Sequence, residues 1–159
     1  MKHKIMYQQV RQKCHNSNFL FSYAKKKGMM SWSSYSYTGR DGSCKYKRWK
    51  IAATVKSYND AQQNSESALQ TAVANNGPVS VAVDAERSMQ NYGGGIYSGN
   101  DCSSNCNSIN HAVTVVGYAP GYWIVKNSWG TGWGENGYIR MATGRNMCSI
   151  DCYGEYPVS

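Results

Sequence analysis

Acid is nearly missing from one end of this 159-residue chain. The first 50 positions hold one acidic residue, Asp41, against 12 lysines and arginines. The rest reverses the balance, with five basic and eight acidic residues. A basic third of this kind attracts nucleic acid or an acidic surface at long range. However, KHK, KKK and KYKRWK are scattered and match no nucleic-acid module, so no nucleic-acid partner is expected and the basic residues read as a solvated face. Long apolar runs are missing too. None approaches the ~20 residues that cross a bilayer, and no membrane partner is expected. The opening MKHKIMYQQVRQK has no apolar centre and does not read as a secretory signal. Prolines number three, which together with 41% hydrophobic residues excludes a disordered chain. Phenylalanine is down to two while tyrosine reaches 13 and tryptophan five, a balance that suits a β-rich domain with polar-tipped aromatic packing. There is no internal repeat, no low-complexity tract and no Asn-x-Ser/Thr acceptor.

Six cysteines are present, a number that points to an oxidising compartment. Set against the missing secretory signal, this leads to the expectation that Met1 is not the start of the full precursor. Cys-x₃-Cys occurs at 102–106 and again at 148–152. That spacing admits a Cys₄ zinc module as well as disulfides.

The pattern along the chain predicts one clear amphipathic helix among strands. NFLFSYAKKKG reads as a short helix with Asn18 as cap and Gly28 as stop, and MMSWSSYSYTGRDGS as a loop. IAATVKSY is strand-like. SESALQTAVANNGP is the clear helix, capped by Ser65 or Asn64, with Glu66 at its positive end and Gly77-Pro78 as stop. VSVAVDA and GYIRMAT read as strands.

The most informative stretch is INHAVTVVGYAPGYWIVKNSWG, residues 109 to 130. Two runs of β-branched and aromatic residues flank Ala-Pro-Gly, which is turn chemistry, so they predict an antiparallel hairpin. A turn centred between 119 and 121 places residues 127–130 opposite His111. It brings His111 beside Asn127, within a residue or two of slippage for a bulge, and puts Trp129 where it can exclude water. An imidazole held by a neutral amide is two-thirds of a Cys-His-Asn constellation, in which the amide fixes the ring and the ring activates a thiol. On the hairpin alone, a polar cross-strand pair with a structural tryptophan is the plainer explanation.

The wider string NHAVTVVGY, then YWIVKNSWGTGWGENGYIRM, resembles the second half of papain-like cysteine peptidases, the group that includes the cathepsin L-like enzymes. The likeness extends through YSYTGRDGSCKYK, SALQTAVANNGPVSVAVDA, GGGIYSGNDCSS and NMCSIDCYGEYPV. It covers residues 28–159 well, leaving 1–27 as a poorly matching basic segment with a short helix. The resemblance implies an α+β fold: a papain-like right-hand domain with an antiparallel, β-barrel-like sheet and short helices, plus a remnant of the helical left-hand domain. By the same resemblance His111 is the catalytic histidine, Asn127 its orienting asparagine, Trp129 the shielding indole and Trp133 a second tryptophan beside the primed side of the cleft. Ala85 and Ile109 resemble walls of the pocket for the substrate's second side chain, Tyr153 its floor, and Asn110 presents its carbonyl to substrate. A disulfide between Cys102 and Cys148 is implied too. Cys106 and Cys152 each lie four positions further on, so a parallel second bridge is expected. The partners of Cys14 and Cys44 would lie outside the chain, leaving the two free or paired with each other.

What the family also has, and this sequence does not, is the Cys-Gly-Ser-Cys-Trp string of the nucleophile and the oxyanion-hole glutamine just before it. The histidine follows that cysteine by about 130–150 residues, and counting back that far from His111 passes residue 1. At 14–19, CHNSNF stands where the family's Cys-Asn-Gly-Gly would offer backbone to a peptide. The expectation is therefore a cathepsin L-like cysteine endopeptidase represented by its C-terminal half and inactive alone. Expected partners are a peptide or protein substrate, the missing N-terminal half and cystatin-type inhibitors, in a lysosomal or secreted setting. The alternatives are a truncated non-catalytic homologue that binds peptides or inhibitors, a silicatein-like protein with serine for the thiol, and the zinc module. No cofactor and no metal are expected. GWGENG at 132–137 spells a dinucleotide fingerprint, but a strand-like YIRMA follows it where a helix would be needed.

Overall fold

The computed structural model describes residues 17–38, 40 and 42–158, with side chains from Leu20 onward. Cys14, Asn16 and the side chains of Ser17 and Asn18 fall outside the described set. The chain divides into two compact units, residues 1–59 with 157–159 and residues 60–156.

In the smaller unit, helix α1 (Ser17–Lys27) carries Lys25, Lys26 and Lys27 in its last turn, where cations suit the negative end of the helix dipole. Asn18 lies inside the helix, one residue past its first position. The stop is Gly28 as expected. Its φ of 75° lies in the left-handed region, its N–H bonds Ala24 O at 2.9 Å, and a Cβ there would sit 2.7 Å from Ile51 Cγ2. Phe21 is buried and stacks on Tyr58 with ring centroids 5.8 Å apart. The stretch expected as loop begins with a strand instead: β1 (Met29–Met30) pairs antiparallel with β2 (Ile51–Ala53). Two residues give no periodicity to read, and both methionines are buried.

The larger unit is built on α2 (Glu66–Asn76) and a sheet of seven strands: β3 (Ser57–Ala61), β4 (Val79–Val83), β5 (Ile96–Tyr97), β6 (His111–Ala119), β7 (Tyr122–Lys126), β8 (Tyr138–Ala142) and β9 (Gly154–Val158). A one-turn helix, α3 (Arg87–Gln90), follows β4. The spatial order is β3-β9-β4-β6-β7-β8-β5, and β3 and β9 run across the division between the units. β4 pairs antiparallel with β6 and β9, and β7 with β6 and β8; β5 joins β8 in parallel. The class is α+β, as expected. The sheet is open, with β3 and β5 as its edges among the described residues, in place of the barrel-like closure the sequence analysis foresaw.

Alternation explains which face is buried. Val79, Val81 and Val83 of β4 point inward with Val113 and Val115 of β6, Trp123 and Val125 of β7, and Ile139 and Met141 of β8. Helix α2 adds Leu69, Ala72 and Val73 to the same core. Ser65 is its cap, accepting from the Ala68 N–H at 3.2 Å.

Candidate active site

The hairpin forms where the turn chemistry predicts it, with Ala119 opposite Tyr122. The register then slips by one at Val116: Val115 faces Val125 while Gly117 faces Ile124. That bulge moves the far end of β7 along by one residue, and Asn127 emerges beside the first residue of β6. His111 Nε2 and Asn127 Oδ1 are 2.8 Å apart. The Ser128 N–H donates to the same Oδ1 at 2.7 Å. A backbone N–H only donates, so the shared atom is the amide oxygen and His111 Nε2 must carry the proton. In a neutral ring the basic nitrogen is then Nδ1.

Trp129 stacks on the imidazole, centroids 4.8 Å apart at 26°. Trp133 meets Trp129 edge-on at 5.0 Å, and its Nε1–H is anchored at 3.1 and 3.0 Å from the carbonyls of Met89 and Gln90. The indoles therefore form a braced lid over the His–Asn bond. Beneath it Asn127 is buried, and its Nδ2 has no hydrogen-bond partner among the described residues. An unpaired buried donor costs about 1–3 kcal/mol. The two bonds to Asn127 Oδ1, from the His111 ring and the Ser128 N–H, offset that cost.

The residues ahead of His111 are tied down in turn. Asn110 bonds the Val83 carbonyl through its N–H at 3.1 Å, the Ala85 N–H through Oδ1 at 2.9 Å, and Asp84 Oδ1 through Nδ2 at 3.1 Å. This sets Ala85, half-buried Ile109 and Asn110 in one neighbourhood with His111, which pairs with Val83. Tyr153 is placed differently from this group. It precedes β9, whose Gly154 faces Val81, and the residue is 43% exposed.

Both disulfides are present, Cys102–Cys148 and Cys106–Cys152. They remove all four sulfurs from the thiolate set that a Cys₄ zinc site needs. The bridges pin a segment with three left-handed residues that are not glycine: Asn146, Cys148 and Ser149. Ser149 is fully buried and its Oγ lies 2.9 and 3.0 Å from the carbonyls of Ser103 and Asn105. Cys44 is free and exposed, in the smaller unit.

Three polar roles were not anticipated. Glu66 was placed at a helix end for its charge; its carboxylate also accepts from the N–H groups of Gly144, Arg145 and Asn146. Glu135 binds Arg140 through two oxygens and takes the Gly95 N–H, which ties the glycine-rich loop to β8; these contacts hold its carboxyl below the ordinary range. Asp151 is buried near Glu66, and desolvation first, then that neighbouring charge, pushes its carboxyl up. Apart from Arg140, five residues from Glu135, each partner lies far away in sequence, so little local signal marks these residues.

The papain family cysteine protease model matches residues 8–158. Mouse pro-cathepsin H is 42% identical over 136 residues, 83% of this chain and 41% of that protein. A cathepsin L-like protein of Caenorhabditis elegans is 44% identical over 138 residues, 82% of this chain and 40% of its own length. Among solved structures, digestive procathepsin L 3 of Tenebrio molitor larval midgut superposes with a TM-score of 0.81 at 39% identity, covering 88% of this chain and 47% of that one. A Carica candamarcensis cysteine protease in complex with E-64 gives 0.80 at 34%, covering 89% and 67%. This chain thus spans about two-fifths of the length of the two curated relatives. With a family match over nearly its whole length, the chain belongs to the papain family of cysteine proteases.

Proposed function

We propose that this chain supplies the imidazole half of a cathepsin L-like thiol endopeptidase site. His111 is the base, Asn127 its orienting acceptor and Trp129 its shield, with Trp133, Ala85, Ile109, Asn110 and Tyr153 forming the chain's share of the peptide cleft. The single observation that carries this is the 2.8 Å bond from His111 Nε2 to Asn127 Oδ1 under a stacked indole. It leaves the neutral ring with Nδ1 as its base, and a thiol placed beside Nδ1 becomes an ion pair able to attack a peptide carbonyl.

The thiol itself comes from elsewhere. All four cysteines of the larger unit are consumed in disulfides, and the sequence contains no Cys-Gly-Ser-Cys-Trp string. An oxyanion donor from the same string is likewise needed, and one such donor is worth roughly 10²–10³ in rate. The complement is the N-terminal half of the peptidase, which in this reading carries that cysteine and glutamine, with extended peptides as substrate and cystatin-type inhibitors as ligands of the completed cleft. A lysosomal or secreted setting accords with the disulfides.

The test is hydrolysis of a fluorogenic dipeptide amide at mildly acidic pH under reducing conditions. The chain alone gives no turnover. Adding the complementary segment gives turnover that a thiol-directed epoxide and His111→Ala each abolish. Turnover by the chain alone, or activity of the completed site that survives His111→Ala, overturns the proposal.

A further inference from the structure

Asp84 is a buried carboxylate with both oxygens hydrogen-bonded, next to the residues that lead into His111. It is 4% exposed, at the end of β4. Its N–H donates to the Cys148 carbonyl at 2.9 Å, its Oδ2 accepts from the Ser103 N–H at 2.7 Å and its Oδ1 accepts from Asn110 Nδ2 at 3.1 Å. Asn110 completes the chain of contacts by accepting from the Ala85 N–H at 2.9 Å. The carboxylate thus joins the end of β4 to the disulfide-bearing loop at 102–110, and the backbone N–H of the same residue adds the turn at 146–149. The residue next to its amide partner is His111.

The donor and acceptor types along this chain allow few solutions. Residues 84 and 110 must each present an oxygen to a backbone N–H, from Ser103 and Ala85 respectively. Their mutual contact then uses the second polar atom of each, and it needs one donor and one acceptor. Two carboxylates meet acceptor to acceptor. Two amides meet donor to donor. Only one carboxylate with one amide closes the set.

We infer that Asp84 and Asn110 form a matched carboxylate–amide clasp that positions His111 against Asn127, with Asp84 as a positioning residue acting through Asn110. Asn110 is the link. Its side chain is held by Asp84 and Ala85, its N–H holds Val83, and the next residue enters β6 paired with Val83. A loosened residue 110 lets the ring rotate off its acceptor, since an orienting hydrogen bond fades within a few tenths of an ångström and tens of degrees. This rests on the reading of His111 as a base, but its test needs no turnover and stands or falls separately.

The experiment uses the purified chain and nuclear magnetic resonance of the His111 ring. The wild type shows one neutral tautomer protonated at Nε2 with a slowly exchanging ring proton. Asp84→Asn creates the two-amide mismatch: exchange of the His111 Nε2 proton and of the Ala85 and Ser103 N–H groups rises by about tenfold or more. The double swap Asp84→Asn with Asn110→Asp restores the parity and returns all three to within about twofold of wild type. A merely structural role for Asp84 predicts otherwise: lower melting temperature for both variants, with an unchanged ring signature in the folded sample. That result overturns the clasp, as does a folded double swap that fails to restore the ring. Should the swap not fold, Asn110→Asp at neutral pH supplies the acceptor-to-acceptor mismatch and must give the same exchange increase as Asp84→Asn.

Discussion

Removing the two disulfides one at a time and together should give energies that do not add. Each bridge spans 46 residues of sequence, and the two run side by side, four residues apart at both ends. On the chain-entropy relation, a loop of that size constrains the unfolded chain by about 4 kcal/mol. Once either bridge is closed, however, the other closes only the small ring made of residues 102–106 and 148–152. That ring has about ten residues, and the same relation gives it about 2.7 kcal/mol. Losing either bridge alone therefore costs about 2.7 kcal/mol, and losing both about 6.7 kcal/mol. The difference from simple addition is about 1.3 kcal/mol.

The variants are Cys102→Ala with Cys148→Ala, Cys106→Ala with Cys152→Ala, and all four together. Equilibrium urea unfolding of each, under non-oxidising handling, supplies the energies. Cys148 and Cys152 are both almost wholly buried, so truncation adds a similar small cavity term to each single removal. It cancels in the comparison. Two results refute the reasoning: single losses that sum to the double loss, or a single loss as large as about 4 kcal/mol with no further cost on removing the second bridge.

Two smaller predictions accompany it. Gly99→Ala should destabilise by about 1–3 kcal/mol and slow oxidation of Cys102 with Cys148, because φ is +50° there and the new Cβ would lie 2.6 Å from Cys102 Sγ; unchanged unfolding and normal bridge formation on peptide mapping would count against it. Asp151→Asn should remove part of the pH dependence of stability. The folded chain keeps the Asp151 proton to higher pH than the unfolded chain does, so that stabilisation is complete below the ordinary value near 3.8 and is lost as pH rises through the raised folded value. Asparagine resembles the protonated carboxyl, so the melting temperatures of the two proteins should lie close at the lower end of this window and separate toward its upper end, where only the wild type loses stability; parallel curves would refute the assignment.

The hairpin was legible because its information is local. Apolar runs of strand length flank a Pro-Gly turn, and counting outward from that turn reaches His111 and Asn127 before any tertiary contact is invoked. What counting could not supply was the bulge at Val116, which decides that Asn127 itself, and not a neighbour, meets the ring. α2 was legible for the same reason, through its serine cap and Gly-Pro stop. The parallel strand β5 and the two-residue β1 left no trace, because neither is long enough to show a period of two. The barrel-like expectation failed on closure alone: strand patterns say which residues face inward, but not whether the last strand reaches the first.

The polar residues that hold the site were the least legible, and physics gives a reason. A hydrophobic residue reveals its role by recurring at a spacing, whereas a buried carboxylate reveals it only through the donors around it. Asp84 reads as the end of an apolar strand, Glu66 as a helix-start charge and Glu135 as part of a glycine-rich loop. In the fold their acceptors are filled by N–H groups 19, 78 and 40 residues away. Such contacts are satisfied only when the whole unit is assembled, so each is a checkpoint on the final packing rather than a driver of local structure. This places Asp84 in the same class as the disulfides. Both act on the 102–110 loop, the disulfides by tying it to the 146–152 turn and so limiting the unfolded chain, and the Asp84 carboxylate by fixing the loop's orientation against β4 in the folded one. The bridges supply stability without saying where the His111 ring points; the clasp supplies direction as well. Reduction of a bridge in a still-folded sample should accordingly lower the melting temperature and leave the His111–Asn127 bond intact, whereas Asp84→Asn should loosen that bond in the folded sample, whatever it also costs in melting temperature.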